Sequence, residues 1–147
     1  MKNTKTTIFA VCIFGWTCSF AQIGQQKREW VKVDDDTNMV ANFYIDPKSI
    51  VIKNDVRRVF SMTDLKISSS GPSSTKSRFM EILFKCNPAN SRKAYTSYME
   101  SYSGQMLTGK LLDGGRAPAE LYEELIGSEV YIADVVCAKW LIYDALG

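Results

Sequence analysis

The sequence predicts an α+β domain in which an antiparallel sheet is followed by one helix. Two observations predict it. Residues 78–86 alternate strictly, with Met80, Ile82, Phe84 and Cys86 on one side and Phe79, Glu81, Leu83 and Lys85 on the other, the period-2 pattern of a strand. From Val130 the period changes: Val130, Ala133, Cys137, Trp140 and Leu141 recur at helical spacing. Strands joined by short turns and then a single helix make an antiparallel sheet with the helix laid across it.

The elements follow in order. Residues 1–21 have a basic start, Lys2 and Lys5, a charge-free run over 8–20, and Ser19-Phe20-Ala21 before Gln22. That is the layout of an exported leader cut after Ala21, too short in its apolar run for the roughly 20 residues that span a bilayer. A lipidated Cys18 is the rival reading, and Gly15 and Thr17 fit it poorly. Residues 22–29 are polar and are expected to be a flexible lead-in, with a single domain over 30–147.

Trp30-Val31-Lys32-Val33 is a half-buried strand, ended by Asp34-Asp35-Asp36. Residues 40–45 make a second, which Asp46-Pro47 is expected to stop, and 49–53 a short extra piece before Asn54-Asp55. Residues 56–67 form a long strand, and the serine-rich 68–76, with Gly71-Pro72, an exposed hairpin loop. After residues 78–86 comes the turn Asn87-Pro88-Ala89-Asn90. Residues 93–102 return, and 105–112 are expected as one more strand ending at Asp113-Gly114-Gly115. Residues 119–126 suggest one or two helical turns. Gly127-Ser128 then offers a break and a cap, with Glu129 at the favourable end of the helix dipole.

Composition excludes more than it names. The chain has 147 residues, a net charge of +2 and no histidine, which removes Ser-His-Asp catalysis and His-ligated metals. Without Lys2 and Lys5 the 18 basic side chains become 16 against 16 acidic ones, so the exported part is formally neutral. That argues against a nucleic-acid binder. Beyond the leader only Cys86 and Cys137 remain, far apart and without Cys-x-x-Cys spacing. In an oxidising compartment such a pair reads as one disulfide, with two buried free thiols as the alternative; closing the loop is worth about 4 kcal/mol. If they bond, the helix crosses the face carrying Met80, Ile82 and Phe84.

Charge is uneven although its sum is zero. Residues 53–93 carry a net +6 and residues 113–134 a net −5. Arg57, Arg58, Lys76, Arg78, Arg92 and Lys93 are therefore the candidate contact surface for an anionic or protein partner. The bland alternative is solvated strand edges, where charge blocks unwanted pairing. Asp34-Asp35-Asp36 and Glu123-Glu124 read as turns and surface rather than as a general acid–base pair. Tyrosines and methionines read as packing rather than as a porphyrin box, so no cofactor, metal or catalytic residue is expected.

Taken together, certain blocks in this order resemble the surface-adhesin protein E-like domains of Gram-negative bacteria. They are Trp30-Val31-Lys32-Val33, then Tyr44-Ile45-Asp46-Pro47-Lys48-Ser49-Ile50, then Asp64-Leu65 and the serine-rich loop with Ser77, Glu81 and Cys86. Tyr102-Ser103-Gly104 and Gly127-Ser128 before Val136-Cys137-Ala138 complete the series. The resemblance implies a sheet of about six strands, with the C-terminal helix tethered to it by Cys86 and Cys137. It also implies an outer-membrane or secreted setting and a non-catalytic module that binds host or matrix proteins and can dimerise. A small periplasmic inhibitor or ligand-binding protein of the same fold is the alternative function. The tail from Lys139 to Gly147 is long and apolar for such a domain.

Overall fold

The computed structural model describes residues 23–33, 40–66, 74–86, 93–118, 122–125 and 129–139. Its strands are β1 (Val31–Lys32), β2 (Ala41–Lys53), β3 (Val56–Leu65), β4 (Ser77–Lys85), β5 (Lys93–Tyr102), β6 (Leu111–Arg116) and β7 (Glu123–Glu124). They form one antiparallel meander in the order β1 to β6, with β7 sharing the outer side of β5 with β6. The helix α1 (Glu129–Asp134) continues as a π-helical turn, Val135–Lys139.

Alternation sends the apolar residues of each strand to two different cores. Ala41, Phe43 and Ile45 of β2, Val59 of β3, Ile82 and Phe84 of β4 and Ala94 of β5 meet Ile132, Ala133 and Val136 of the helical segment. Met62, Phe79, Tyr102 and Leu107 form the second core on the opposite face. The Cys86 and Cys137 sulfurs are bonded, with their Cα atoms 5.4 Å apart, and the helix lies on the face of Met80, Ile82 and Phe84. Both expectations hold. Val130, however, is exposed, and Ile132 and Val136 are buried in its place. The helix is short and passes into a wider turn, which moves its inner side off the expected stripe; Trp140 and Leu141 lie outside the described residues.

Three boundaries differ from the sequence reading. Asp46-Pro47 does not stop a strand: β2 runs through it on a bulge between Asp46 and Val51. Asp46 Oδ1 accepts the Lys48 N–H at 3.1 Å, the Ser49 hydroxyl donates to the Asp46 carbonyl at 2.7 Å, and the Phe60 N–H donates to Ser49 Oγ at 2.8 Å. Side chains thus replace the ladder bonds that proline interrupts.

Residues 105–107 are a 3₁₀ turn rather than strand, with Met106 and Leu107 left-handed at φ 52° and 60°. Met106 N–H donates to Asp64 Oδ1 and Leu107 N–H to Ser77 Oγ, so two distant side chains hold the turn. The strand begins only at Leu111 and includes Asp113-Gly114-Gly115. Glu123–Glu124 pairs with Ala94 and Lys93 as a strand, not as helix; residues 119–121 and 126–128 lie outside the described residues.

Candidate functional site

The face opposite the helix is crossed by residues 23–30, which sequence reading took for a flexible lead-in. Ile23–Gln25 form a 3₁₀ turn and Gly24 is buried. A Cβ at Gly24 would stand 2.7 Å from Phe79 Cβ and 2.7 Å from Glu100 Oε2, so only glycine lets this backbone touch the sheet. The polar segment is held by a carboxylate that sequence alone does not place beside it.

That carboxylate is Glu100, 1% exposed at the middle of the face. Its Oε1 accepts Ile23 N–H at 3.0 Å and the Tyr98 hydroxyl at 2.6 Å, while Oε2 accepts Gly24 N–H at 2.7 Å and the Tyr102 hydroxyl at 2.5 Å. Burial alone pushes the Glu100 carboxyl up. The bonds from Tyr102, Tyr98, Gly24 and Ile23 outweigh burial and hold it below its ordinary range. Desolvation first, and then the bond to Glu100, push the Tyr98 hydroxyl up to about 12 and the Tyr102 hydroxyl higher still.

Arg28 fastens the other end of this strap. Its guanidinium lies 4.2 Å over the Phe60 ring and 5.4 Å from that of Phe79. It pairs with Asp46 at 3.3 Å, with both side chains largely buried, and donates to the Ile23 carbonyl. Trp30 meets Phe79 edge-on at 6.4 Å.

Beside the strap opens a cleft of about 790 Å³, walled by Lys27, Arg28, Glu29, Asp46, Lys48, Ser49, Val51, Arg58 and Phe60. Four cations face two acids there. The Arg28 charge is answered by Asp46 inside the protein. Lys48 and Glu29 touch at 2.8 Å with side chains 80% and 66% exposed. Their hydrogen bond lowers the Glu29 carboxyl and raises the Lys48 ammonium, but so wet a pair is readily exchanged for another partner. Arg58 reaches Glu81 at 3.3 Å and lies 5.3 Å from the Phe60 ring, with 41% of its side chain exposed. The wall therefore offers Lys27, Lys48 and Arg58 to an incoming anion.

The structure divides the six basic residues that sequence grouped. Arg57 and Arg58 are neighbours in β3 and so point to opposite faces. Arg57 is on the helix face, 8% exposed, and its Nε has no hydrogen-bond partner among the described residues. Arg78 also lies on that face, but opposite Thr63, six residues along β3 from Arg57, about 20 Å away. Lys76 sits at the same end of the sheet, its N–H bonded to the Tyr102 carbonyl. Lys93 pairs in register with Lys85 and Glu124, and Arg92 lies outside the described residues. Of the five that are described, only Arg58 lines the cleft. Lys27, Arg28 and Lys48 were missed. Lys48 stood in the quoted Tyr-x-Asp-Pro-Lys-Ser-Ile block, where a lysine on a bulge is a signal of exposure.

A meander of this order and a disulfide from β4's end to the final helix are what the resemblance led one to expect. The family model described as surface-adhesin protein E matches residues 30–138. The chain belongs to the surface-adhesin protein E family. Protein E of Haemophilus influenzae is similar in structure, with a TM-score of 0.50 at 14% identity over 78% of this chain and 87% of that one. Its crystal form II gives 0.48 at 13% identity over 76% and 98%. At 14% identity the first of these likenesses shows the fold alone. No curated protein sequence matches the chain. The family match begins at Trp30, so the part of the strap before it, with Gly24 and Arg28, lies outside the matched region. Among the described residues no helix is long and apolar enough to cross a membrane. A surface-adhesin-like module is thus the function class of this chain.

Proposed function

We propose that the protein is exported to the cell surface and binds acidic patches of host or matrix proteins through the cleft beside the strap. The observation that carries this reading is the cleft wall: Lys27, Lys48 and Arg58 present positive charge around Phe60 and Val51, while Arg28, fixed by Asp46, holds the wall in place. Family membership supports binding as the work of the domain. The contact surface proposed here keeps Arg58 from the basic set and replaces the rest by residues of the strap and the bulge.

The test uses the exported chain, residues 22–147, against immobilised purified matrix proteins. Binding is expected to weaken markedly between about 0.05 and 0.5 M salt as the Debye length falls from above 10 Å to a few ångströms. Lys27→Glu, Lys48→Glu and Arg58→Glu together should abolish it. Binding that survives both overturns the cleft as the contact surface. Protease shaving of intact cells should remove the protein; protection places it in the periplasm and favours the inhibitor or ligand-binding alternative.

A further inference from the structure

Among the described residues the outer side of β2 is covered only along its first half. β1 pairs there with Tyr44 and Ile45, and Val33 N–H donates to the Phe43 carbonyl. Beyond the bulge no described strand runs beside residues 50–53, where Val51 is 48% and Ile52 42% exposed. Lys53 and Val56 close a two-residue hairpin turn, with Asn54 left-handed at φ 55°. A closing pair of this kind bonds across the hairpin, so the next residue, Ile52, aims its N–H and C=O outward. Among the described residues this is an open strand edge.

The chemistry on its cleft side is specific. Val51 and Arg58 are cross-strand partners, and Lys53, two residues on, shares their face. Lys48 and Arg58 wall the cleft on that same side. Val51 thus stands between cations, with Lys53 two residues on at strand spacing and Lys48 three residues back on the bulge. A second copy of this edge, laid antiparallel, would set Lys48 and Lys53 against their equivalents, which like-charge repulsion opposes.

We propose that residues 50–53 receive an extended acidic segment of a partner protein as an added strand. Its backbone bonds to Ile52, an apolar residue rests on Val51, and acids two residues to either side reach Lys48, Arg58 and Lys53. Strand addition of this kind draws affinity from the main chain and selectivity from alternate side chains. The inference rests on the reading of the protein as a partner-binding module and names how that partner docks.

The probe is a fluorescein-labelled peptide, Glu-Thr-Val-Thr-Glu with blocked ends, titrated with residues 22–147 and followed by anisotropy. Saturable binding below about 1 mM is expected. Methylating the backbone nitrogens of both threonines, or replacing both glutamates by lysine, should weaken it at least tenfold. Lys48→Glu with Lys53→Glu should do the same, and Ile52→Pro should weaken it with the fold intact, since an edge strand accepts proline where its N–H faces outward. The N-methylated peptide keeps the test decisive if Ile52→Pro does not fold. Equal binding of the N-methylated peptide, indifference to the lysine reversals, or no binding up to about 1 mM overturns the proposal. So does a dimer in sedimentation that Ile52→Pro dissociates. If matrix proteins bind while the peptide fails, strand addition falls and the cleft reading stands. If the peptide alone binds, the reverse holds.

Discussion

The two faces of the sheet are closed by different chemistry. On the helix face, apolar side chains from four strands meet Ile132, Ala133 and Val136, and one covalent bond secures the contact. On the strap face, aromatic rings are covered by a polar segment held by one carboxylate and one guanidinium. Apolar burial has no direction and tolerates small shifts. Hydrogen bonds to a buried charge are directional and fail together when one partner is lost. The side proposed to face a partner is thus the one whose geometry is set by polar contacts, and the cleft inherits its shape from them.

Four changes probe this contrast, beginning with the largest. Removing the disulfide by Cys86→Ser with Cys137→Ser should cost about 4 kcal/mol. In hydrogen exchange the helix should open first, leaving the β3–β5 ladder and the strap protected. Equal loss of protection on both faces would show that the two are one unit.

Glu100→Ala should cost about 3 kcal/mol, because it leaves two hydroxyls and two backbone N–H groups unpaired. Here limited proteolysis should cut at Lys27 or Arg28 while the helix stays in place. The same hub sets a pH dependence. The Glu100 carboxyl is held below its ordinary range, so its contribution is present above the usual carboxylate pKa and is lost as pH falls through the lowered value. Tyr98 acts in the opposite direction: raised from 10 to about 12, it contributes below pH 10 and loses that contribution as pH climbs through about 12. Denaturant midpoints across pH should therefore decline at both ends, and Glu100→Gln should flatten the acid side.

A smaller effect is expected from Gly24→Ala, about 2 kcal/mol, through overpacking against Phe79 and Glu100. Melting followed by Trp30 fluorescence would read it on the strap face alone. The smallest is Arg78→Glu, on the exposed helix-side surface far from the cleft. Its effect on stability should stay within about 0.5 kcal/mol, and partner binding should be unchanged. A loss of binding there would return the contact surface to the grouping that charge counting suggests.

The strap face was also the less legible one. Residues 78–86 and the helix starting at Glu129 could be read because each announces itself within its own segment, by alternation or by period. The cysteine pair could be read because two thiols leave one pairing. Glu100 binds a segment 76 residues away, and no local pattern links a strand glutamate to a polar lead-in. The turn at Met106 and Leu107 failed for the same reason: neither residue type favours a positive φ, and Ser77 and Asp64 impose it from other strands. Summed charge misled differently. It counted Arg57 and Arg58 together, although adjacent strand residues face opposite ways.

The strap also sets an order of events in the life of the chain. Ile23 is made early, and its anchor Glu100 is made 77 residues later. At about 5–20 residues per second the segment waits on the order of 4–15 s for its binding site to exist. The clasp is therefore a clock as well as a fastening: it cannot close until a residue made 77 positions after its own first contact has emerged.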